Sequence, residues 1–297
     1  MSARVLAVVV AVSVLLASAP VDALTLRDML GRTVTLPLPP TRIVSLVPSV
    51  TEIVFSLGAE ERLVGRTDFC DYPAAVRGKP SVGGMVNPNL ETLVALKPDL
   101  VVATDEGNRE ETFRQLERLR IPIYLVHANR IAETVDLIAR VGELTGRQAE
   151  VPRLIGEMQR RIDAVRRAVA PFPRPRVLYV LWPEPLIVPG RASMLTELIE
   201  IAGGTSITAG DGDAYPRLSL EAAVARVPEV IILADHSTGA STAGRASPEK
   251  WQRLVSVPAI RAGRLHSADL SILHRYGPRV PDGLETLARM IHPEAFP

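Results

Sequence analysis

The chain has 297 residues, is 47% hydrophobic and carries a formal net charge of +1. That length allows two domains with cores of their own, while the near-zero charge argues against a nucleic-acid footprint or a basic membrane-binding patch. One cysteine, Cys70, excludes an internal disulfide, and no CxxC, HExxH, GxSxG, Gly-rich phosphate loop or paired histidines at metal-ligand spacing occur.

Residues 1–23 read as an export signal. Arg4 supplies a positive start, residues 5–16 are apolar except Ser13, and Val21-Asp22-Ala23 offers a small-residue cleavage site. The run is shorter than the roughly 20 apolar residues of a membrane span. No Cys follows the cleavage site, so the expectation is an exported protein without a lipid anchor.

Residues 25–40 form a lead-in with a polar turn at Leu30-Gly31-Arg32. Residues 42–47 (RIVSLV) suit a buried strand, and residues 50–57 suit a helix closed by Gly58. A second strand begins at Leu63. Asn89 caps a helix over residues 90–96 with Glu91 in its first turn, and Pro98-Asp99 turns into a strand at residues 100–103. Helix at 109–119, strand at 121–126 and helix at 131–144 complete an alternating β/α pattern, which predicts a mostly parallel sheet covered on both faces.

Residues 146–176 place Val151, Leu154, Ile155, Met158, Ile162, Val165 and Val169 on one helical stripe before Pro171, Pro173 and Pro175 stop the run. About 20 helical residues span roughly 30 Å, the width of a small domain, so this segment reads as a strut. The α/β pattern then resumes: strand at 176–181, helix at 193–202, helix at 219–227, strand at 230–233, a helix from Ser247 to Leu254 and a last helix at 282–291. NLETLVALKPDLVVA from Asn89 and SLEAAVARVPEVIIL from Ser219 share Leu90/Leu220, Glu91/Glu221, Val94/Val224, Ala95/Ala225 and Pro98/Pro228, each 130 residues apart (220 − 90). The two halves therefore read as related lobes. The predicted division is 1–23 export signal, 24–145 first lobe, 146–173 connecting helix and 174–297 second lobe.

RIVSLVPSVTEIVFSLGAEERLVG from Arg42, the Asp71-Tyr72-Pro73 turn, the capped repeat from Asn89 and WQRLVSVPAIRAGRLHSAD from Trp251 resemble the periplasmic substrate-binding proteins of ABC importers for vitamin B12, haem and iron–siderophores. Tyr215-Pro216 and Arg275 with Pro278-Arg279 are most similar to the cobalamin-binding members. The resemblance implies two Rossmann-like α/β lobes joined by one long backbone helix, with a ligand in the cleft between them. It also implies small lobe motion on binding, a monomer that docks on a dimeric permease, and no covalent chemistry or cofactor.

By that resemblance Tyr72, Met85, Trp182, Tyr215, Asp269 and Arg275 are candidate ligand contacts. Tyr72 and Tyr215 match cleft aromatics, and Asp269 and Arg275 match rim positions suited to corrin amides. Trp182 sits on a loop after a strand, followed by Pro183 and Pro185, where a contact role is natural. Met85 stands where cobalamin-binding members are expected to offer an aromatic; methionine packs a flat ligand without stacking as a ring does. Glu91 and Glu221 are the candidate docking acids, one per lobe, suited to arginines of a two-fold permease; each also complements a helix N-terminus.

Haem is the alternative ligand, with Tyr72, His236 and His274 as axial candidates. An iron–siderophore would call on Arg66, Arg191 and Arg275. A metal-chelatase-like enzyme in the same two-lobed shell is the alternative of another class, which would require several of the scattered histidines to converge.

Overall fold

The short apolar runs of the first half assemble into one parallel sheet. A computed structural model describes residues 23–37, 39–235 and 248–296; residues 1–22 of the expected export signal, His236 and Ser247 lie outside the described residues. The chain starts with a hairpin of β1 (Ala23–Arg27) and β2 (Thr33–Pro37). The lead-in expected over residues 25–40 is thus paired strand. Its turn is held by Asp28, whose Oδ1 accepts the Leu30 and Arg32 amides at 3.0 and 2.8 Å.

The first lobe follows with β3 (Ile43–Ser45), α1 (Pro48–Ser56), β4 (Leu63–Arg66), α2 (Leu90–Ala95), β5 (Leu100–Thr104), α3 (Glu110–Arg118), β6 (Ile123–Val126) and α4 (Ile131–Thr145). Its sheet order is β4-β3-β5-β6, all parallel. Every residue of β5 and β6 is buried, as strands covered on both faces must be. Gly146, at φ 67°, ends α4 in a left-handed cap and turns the chain into α5 (Val151–Val169).

The second lobe contains β7 (Arg176–Val180), β8 (Trp182–Pro183), β9 (Leu186–Ile187), α6 (Met194–Ile201), β10 (Thr205–Ser206), α7 (Leu220–Ala225), β11 (Val230–Asp235), α8 (Pro248–Gln252), α9 (Pro258–Arg261), β12 (Leu265–Asp269), α10 (Leu270–Leu273) and α11 (Val280–Ile291). Its sheet is β10-β7-β11-β12, again all parallel. The segment around Trp182, expected as loop, is a two-stranded hairpin of β8 with β9.

The repeat extends into backbone detail. Asn89 accepts the Thr92 amide at 3.0 Å and Ser219 accepts the Ala222 amide at 3.1 Å, so each short helix has its side-chain cap. Lys97 and Val227, again 130 apart (227 − 97), both take positive φ, 48° and 53°. An arginine opens the first strand of each lobe and ties it to the end of the repeated helix: Arg42 Nη2 donates to Leu96 O at 2.6 Å, and Arg176 Nε donates to Val227 O at 2.8 Å. The acid after each proline returns the contact, Asp99 accepting the Arg42 amide at 2.9 Å and Glu229 accepting the Arg176 amide at 2.8 Å.

The outer face of each sheet has a core of its own, one around Leu93, Val101 and Leu116, the other around Leu178, Ile231 and Trp251. The inner faces share a third core that runs through both lobes. The buried stripe of α5, Leu154, Met158, Ile162, Val165 and Val169, belongs to it. The expected strut is therefore embedded in continuous packing that joins the two halves. Polar links reinforce it. Arg161 of α5 donates to Asp282 and Glu285 of α11 at 2.6 and 2.9 Å, and Glu197 of α6 accepts the Ile131 amide at the start of α4 at 3.0 Å.

Gly277 lies close against α1 of the first lobe. A Cβ there would meet Ser49 Cβ at 3.2 Å and Ser49 Cα at 3.3 Å. Gly277→Val is expected to destabilise by about 1–3 kcal/mol, because the added volume must push α1 from the second lobe. A lowered midpoint in thermal melting checks this.

Candidate functional site

Parallel α/β sheets leave a crevice beyond the carboxyl ends of their strands. Here the ends of β3, β5 and β6 face the 274–276 segment of the second lobe, enclosing a cavity of ≈ 680 Å³. Val47, Pro48 and Ser49, where β3 turns into α1, form part of its wall. Thr104 and Glu106 follow β5; Val126, His127 and Ala128 close β6. Phe69, 54% exposed, and Met85 add apolar surface from the first lobe.

Met85 is held from below. Asn108 Nδ2 donates to Met85 O at 2.7 Å while Asn108 Oδ1 accepts the Thr104 amide at 2.8 Å. A Cβ on Gly107 would lie 2.2 Å from Met85 Cε, so the thioether lies directly over that glycine.

The second lobe supplies a chain of rings. Tyr179, fully buried on β7, shares a hydrogen bond with His274 Nε2 at 3.1 Å. His274 stacks near Tyr276, with centroids 6.5 Å apart, and Tyr276 shares a hydroxyl–hydroxyl bond of 3.1 Å with Tyr215. Burial raises both the Tyr179 and Tyr276 phenols above the ordinary tyrosine value, with Tyr215 adding to the effect at each. Both therefore stay neutral and present polar edges without charge.

Beside the cavity a four-residue ion cluster ties the lobes together. Arg279 holds Glu52 with Nε at 2.9 Å and Nη2 at 2.6 Å; the carboxylate side chain is only 2% exposed. Arg275 binds Asp71 and lies 3.6 Å from Glu52. At Asp71 burial pushes upward, but the Arg275 hydrogen bond and charge outweigh it and hold the carboxyl below its usual value. Arg279 also lies 4.0 Å over the Tyr72 ring.

Of the sequence candidates, Met85, Tyr215 and Arg275 come together in the cavity wall. Tyr72, 47% exposed, faces Arg279 and lines a separate groove of ≈ 290 Å³. Trp182 donates its indole N–H to Glu184 O at 3.0 Å, and Asp269 ends β12 opposite Asp235; neither lines the cavity. His274 lines it, whereas Arg66 donates to Val76 O and Thr67 O, and Arg191 to Gly210 O, away from it. Glu91 and Glu221 are exposed in the first turns of α2 and α7. The backbone amide of Glu221 and the Ser219 hydroxyl hold the Glu221 carboxyl below its usual value.

Glu106, His127, Phe69 and Tyr276 also line the cavity and were not among the sequence candidates for ligand contact. For Glu106 and His127 a signal existed: each follows an apolar strand at its carboxyl end, where crevice residues fall. Among the described residues, no group of three or more His, Cys, Asp and Glu is placed to hold a metal ion, so the scattered histidines do not converge there. No helix among them is long and apolar enough to cross a membrane.

Comparison with known proteins follows the same lines. The vitamin B12-binding protein of Vibrio cholerae is 27% identical over 249 residues, covering 84% of this chain and 88% of that one. An uncharacterised ABC transporter substrate-binding lipoprotein of Bacillus subtilis, YvrC, is 27% identical over 279 residues, covering 92% and 86%. Among solved structures, the V. cholerae vitamin B12-binding protein BtuF superposes with a TM-score of 0.72 at 25% identity, covering 87% of this chain and 99% of that one. A periplasmic heme-binding protein of Pseudomonas aeruginosa gives 0.76 at 27%, covering 87% and 95%. A family model described as periplasmic binding protein matches residues 43–269. The chain belongs to that family, and is a binding protein of an ABC importer rather than an enzyme.

Proposed function

We infer that this protein captures cobalamin or a related corrinoid between its lobes and delivers it to the permease of an ABC importer. The carrying observation is the cavity itself: ≈ 680 Å³ between the lobes, with Phe69, Met85, Tyr215 and Tyr276 in its wall. A broad planar macrocycle needs apolar and aromatic faces with a few polar groups at its edge, and this lining offers both. The vitamin B12-binding relatives, matched over most of both chains, support the corrinoid.

Docking belongs to Glu91 and Glu221. They occupy equivalent positions in the two lobes, both are exposed, and Val94 and Leu220 lie exposed close by. Two like charges on pseudo-equivalent helices suit a two-fold symmetric partner. The apolar segment ahead of Ala23 acts as a cleaved export signal that leaves the protein free in the periplasm. Sequencing of the mature N-terminus checks this against lipid anchoring, since the relative YvrC is a lipoprotein.

Titration of the exported protein with cyanocobalamin by calorimetry is expected to give saturable one-to-one heat. Tyr215→Ala is expected to weaken it about tenfold, since a central aromatic contact is typically worth over 1 kcal/mol. Haem is the second reading, favoured by His274 and Tyr215 in the cavity wall. Saturable haemin binding with a shifted Soret band, and no heat with cyanocobalamin, would replace the corrinoid with haem.

A further inference from the structure

We propose that the cleft selects its macrocycle by the charge of the rim, and that Glu106 sets this selection: a ring edged with neutral amides is accepted and one edged with carboxylates is disfavoured. This rests on the reading that the cavity holds a planar macrocycle, and adds the chemistry of its edge.

The cavity's charges are uneven. Among the described residues that line it, Arg275 is the sole lysine or arginine. Its guanidinium already binds Asp71 and approaches Glu52 at 3.6 Å, while the neighbouring Arg279 is held by both oxygens of Glu52. Two guanidiniums against two carboxylates make that cluster neutral, with no surplus cation for a ligand carboxylate.

Across the cleft the balance is acidic. Asp105 and Glu106 follow β5, and His127 closes β6, its Nδ1 3.2 Å from Asp105 and 3.9 Å from Glu106. Even a protonated His127 offsets one of those two acids and leaves a net negative charge. Asn129 donates to Glu106 Oε1, the same oxygen that His127 approaches, so among the described residues the contacts of this carboxylate gather on one oxygen. Oε2 keeps its lone pairs. Glu106 lines the cavity, and its side chain is 39% exposed.

The chemistry follows directly. A carboxylate accepts the N–H of a primary amide in a charge-assisted bond, stronger than a neutral one. The same carboxylate repels a ligand carboxylate, more strongly in a partly desolvated cleft than in water. A corrinoid's amides satisfy Glu106; the two propionates of haem do not.

The test uses pairs matched in ring and differing only in rim. Cyanocobalamin is compared with its amide-hydrolysed monocarboxylic acids, and haemin with the diamide of its two propionates. All are titrated into wild type and Glu106→Gln, which keeps the size and a hydrogen-bond acceptor for Asn129. Thermal melting and circular dichroism verify that the variant is folded, and Asp105→Asn removes the neighbouring acid that contacts His127 from outside the cavity lining. In wild type the amide member of a pair is expected to bind about tenfold tighter, falling to about twofold in Glu106→Gln. Equal affinities within the pairs in wild type, or a preference that Glu106→Gln and Asp105→Asn leave unchanged, would overturn the proposal while cyanocobalamin binding keeps the corrinoid reading. If cyanocobalamin fails to bind but haemin diamide outcompetes haemin in a Glu106-dependent way, the corrinoid reading falls and the rim selection stands. Failure of all four ligands to bind overturns both.

Discussion

Replacing Glu91 and Glu221 together with alanine is expected to cut ligand uptake by cells more than tenfold while leaving the purified protein's ligand affinity within about twofold of wild type. The split between the two readouts follows from geometry. Both acids lie in the first turns of short capped helices, and neither lines the cavity between the lobes. Removing them leaves the ligand wall intact, and the caps from Asn89 and Ser219 keep the helices in place. The single variants are expected to retain part of the uptake, because each would leave one of the two proposed contacts with a symmetric partner. Uptake unchanged in the double variant would refute docking through these residues. A parallel fall in affinity would show that they act on the cleft instead.

Arg279→Ala is expected to destabilise the protein by about 3 kcal/mol, because removing one partner of a buried pair strands the other charge. Glu52 is that charge: its side chain is 2% exposed and both its oxygens are held by Arg279. Arg275, at 3.6 Å from the same carboxylate, is already engaged by Asp71 and compensates only in part. A loss of that size corresponds to a fall in melting midpoint of about 6–12 °C for a chain of this class. Arg279→Lys keeps the charge but loses the fork geometry, so an intermediate fall is expected. The double variant Glu52→Leu with Arg279→Met is expected to recover most of the loss, since an apolar pair leaves no stranded charge. A melting midpoint for Arg279→Ala within 2 °C of wild type would show that Glu52 is stabilised by other means.

This ion cluster also explains where sequence reading stopped. Arg275 and Asp71 are 204 positions apart, Arg279 and Glu52 227. No local pattern relates such residues; the resemblance that marked Tyr72 and Arg275 for the ligand carried no information about what else they touch. In the structure Arg279 covers Tyr72, and the cavity's second-lobe aromatic wall is formed by Tyr215 with Tyr276. Pro183 and Pro185 after Trp182 suggest a loop following a strand, yet Leu186 and Ile187 pair with that segment as a hairpin.

Helix caps, helix breaks and apolar stripes were legible along the chain, whereas even the short hairpins β1-β2 and β8-β9 were not. Caps at Asn89 and Ser219, the breaks at Pro98 and Pro228 and the apolar stripe of α5 all follow from hydrogen bonding and burial within one or two turns of backbone, and comparing the two capped segments exposed the 130-residue repeat. Tertiary structure alone decided the strand orders β4-β3-β5-β6 and β10-β7-β11-β12 and the common core around α5. It alone also set the charges facing each other across the cleft. Those depend on which distant segments share a surface, and parallel crossovers leave that choice open until the helices have packed on both faces of each sheet.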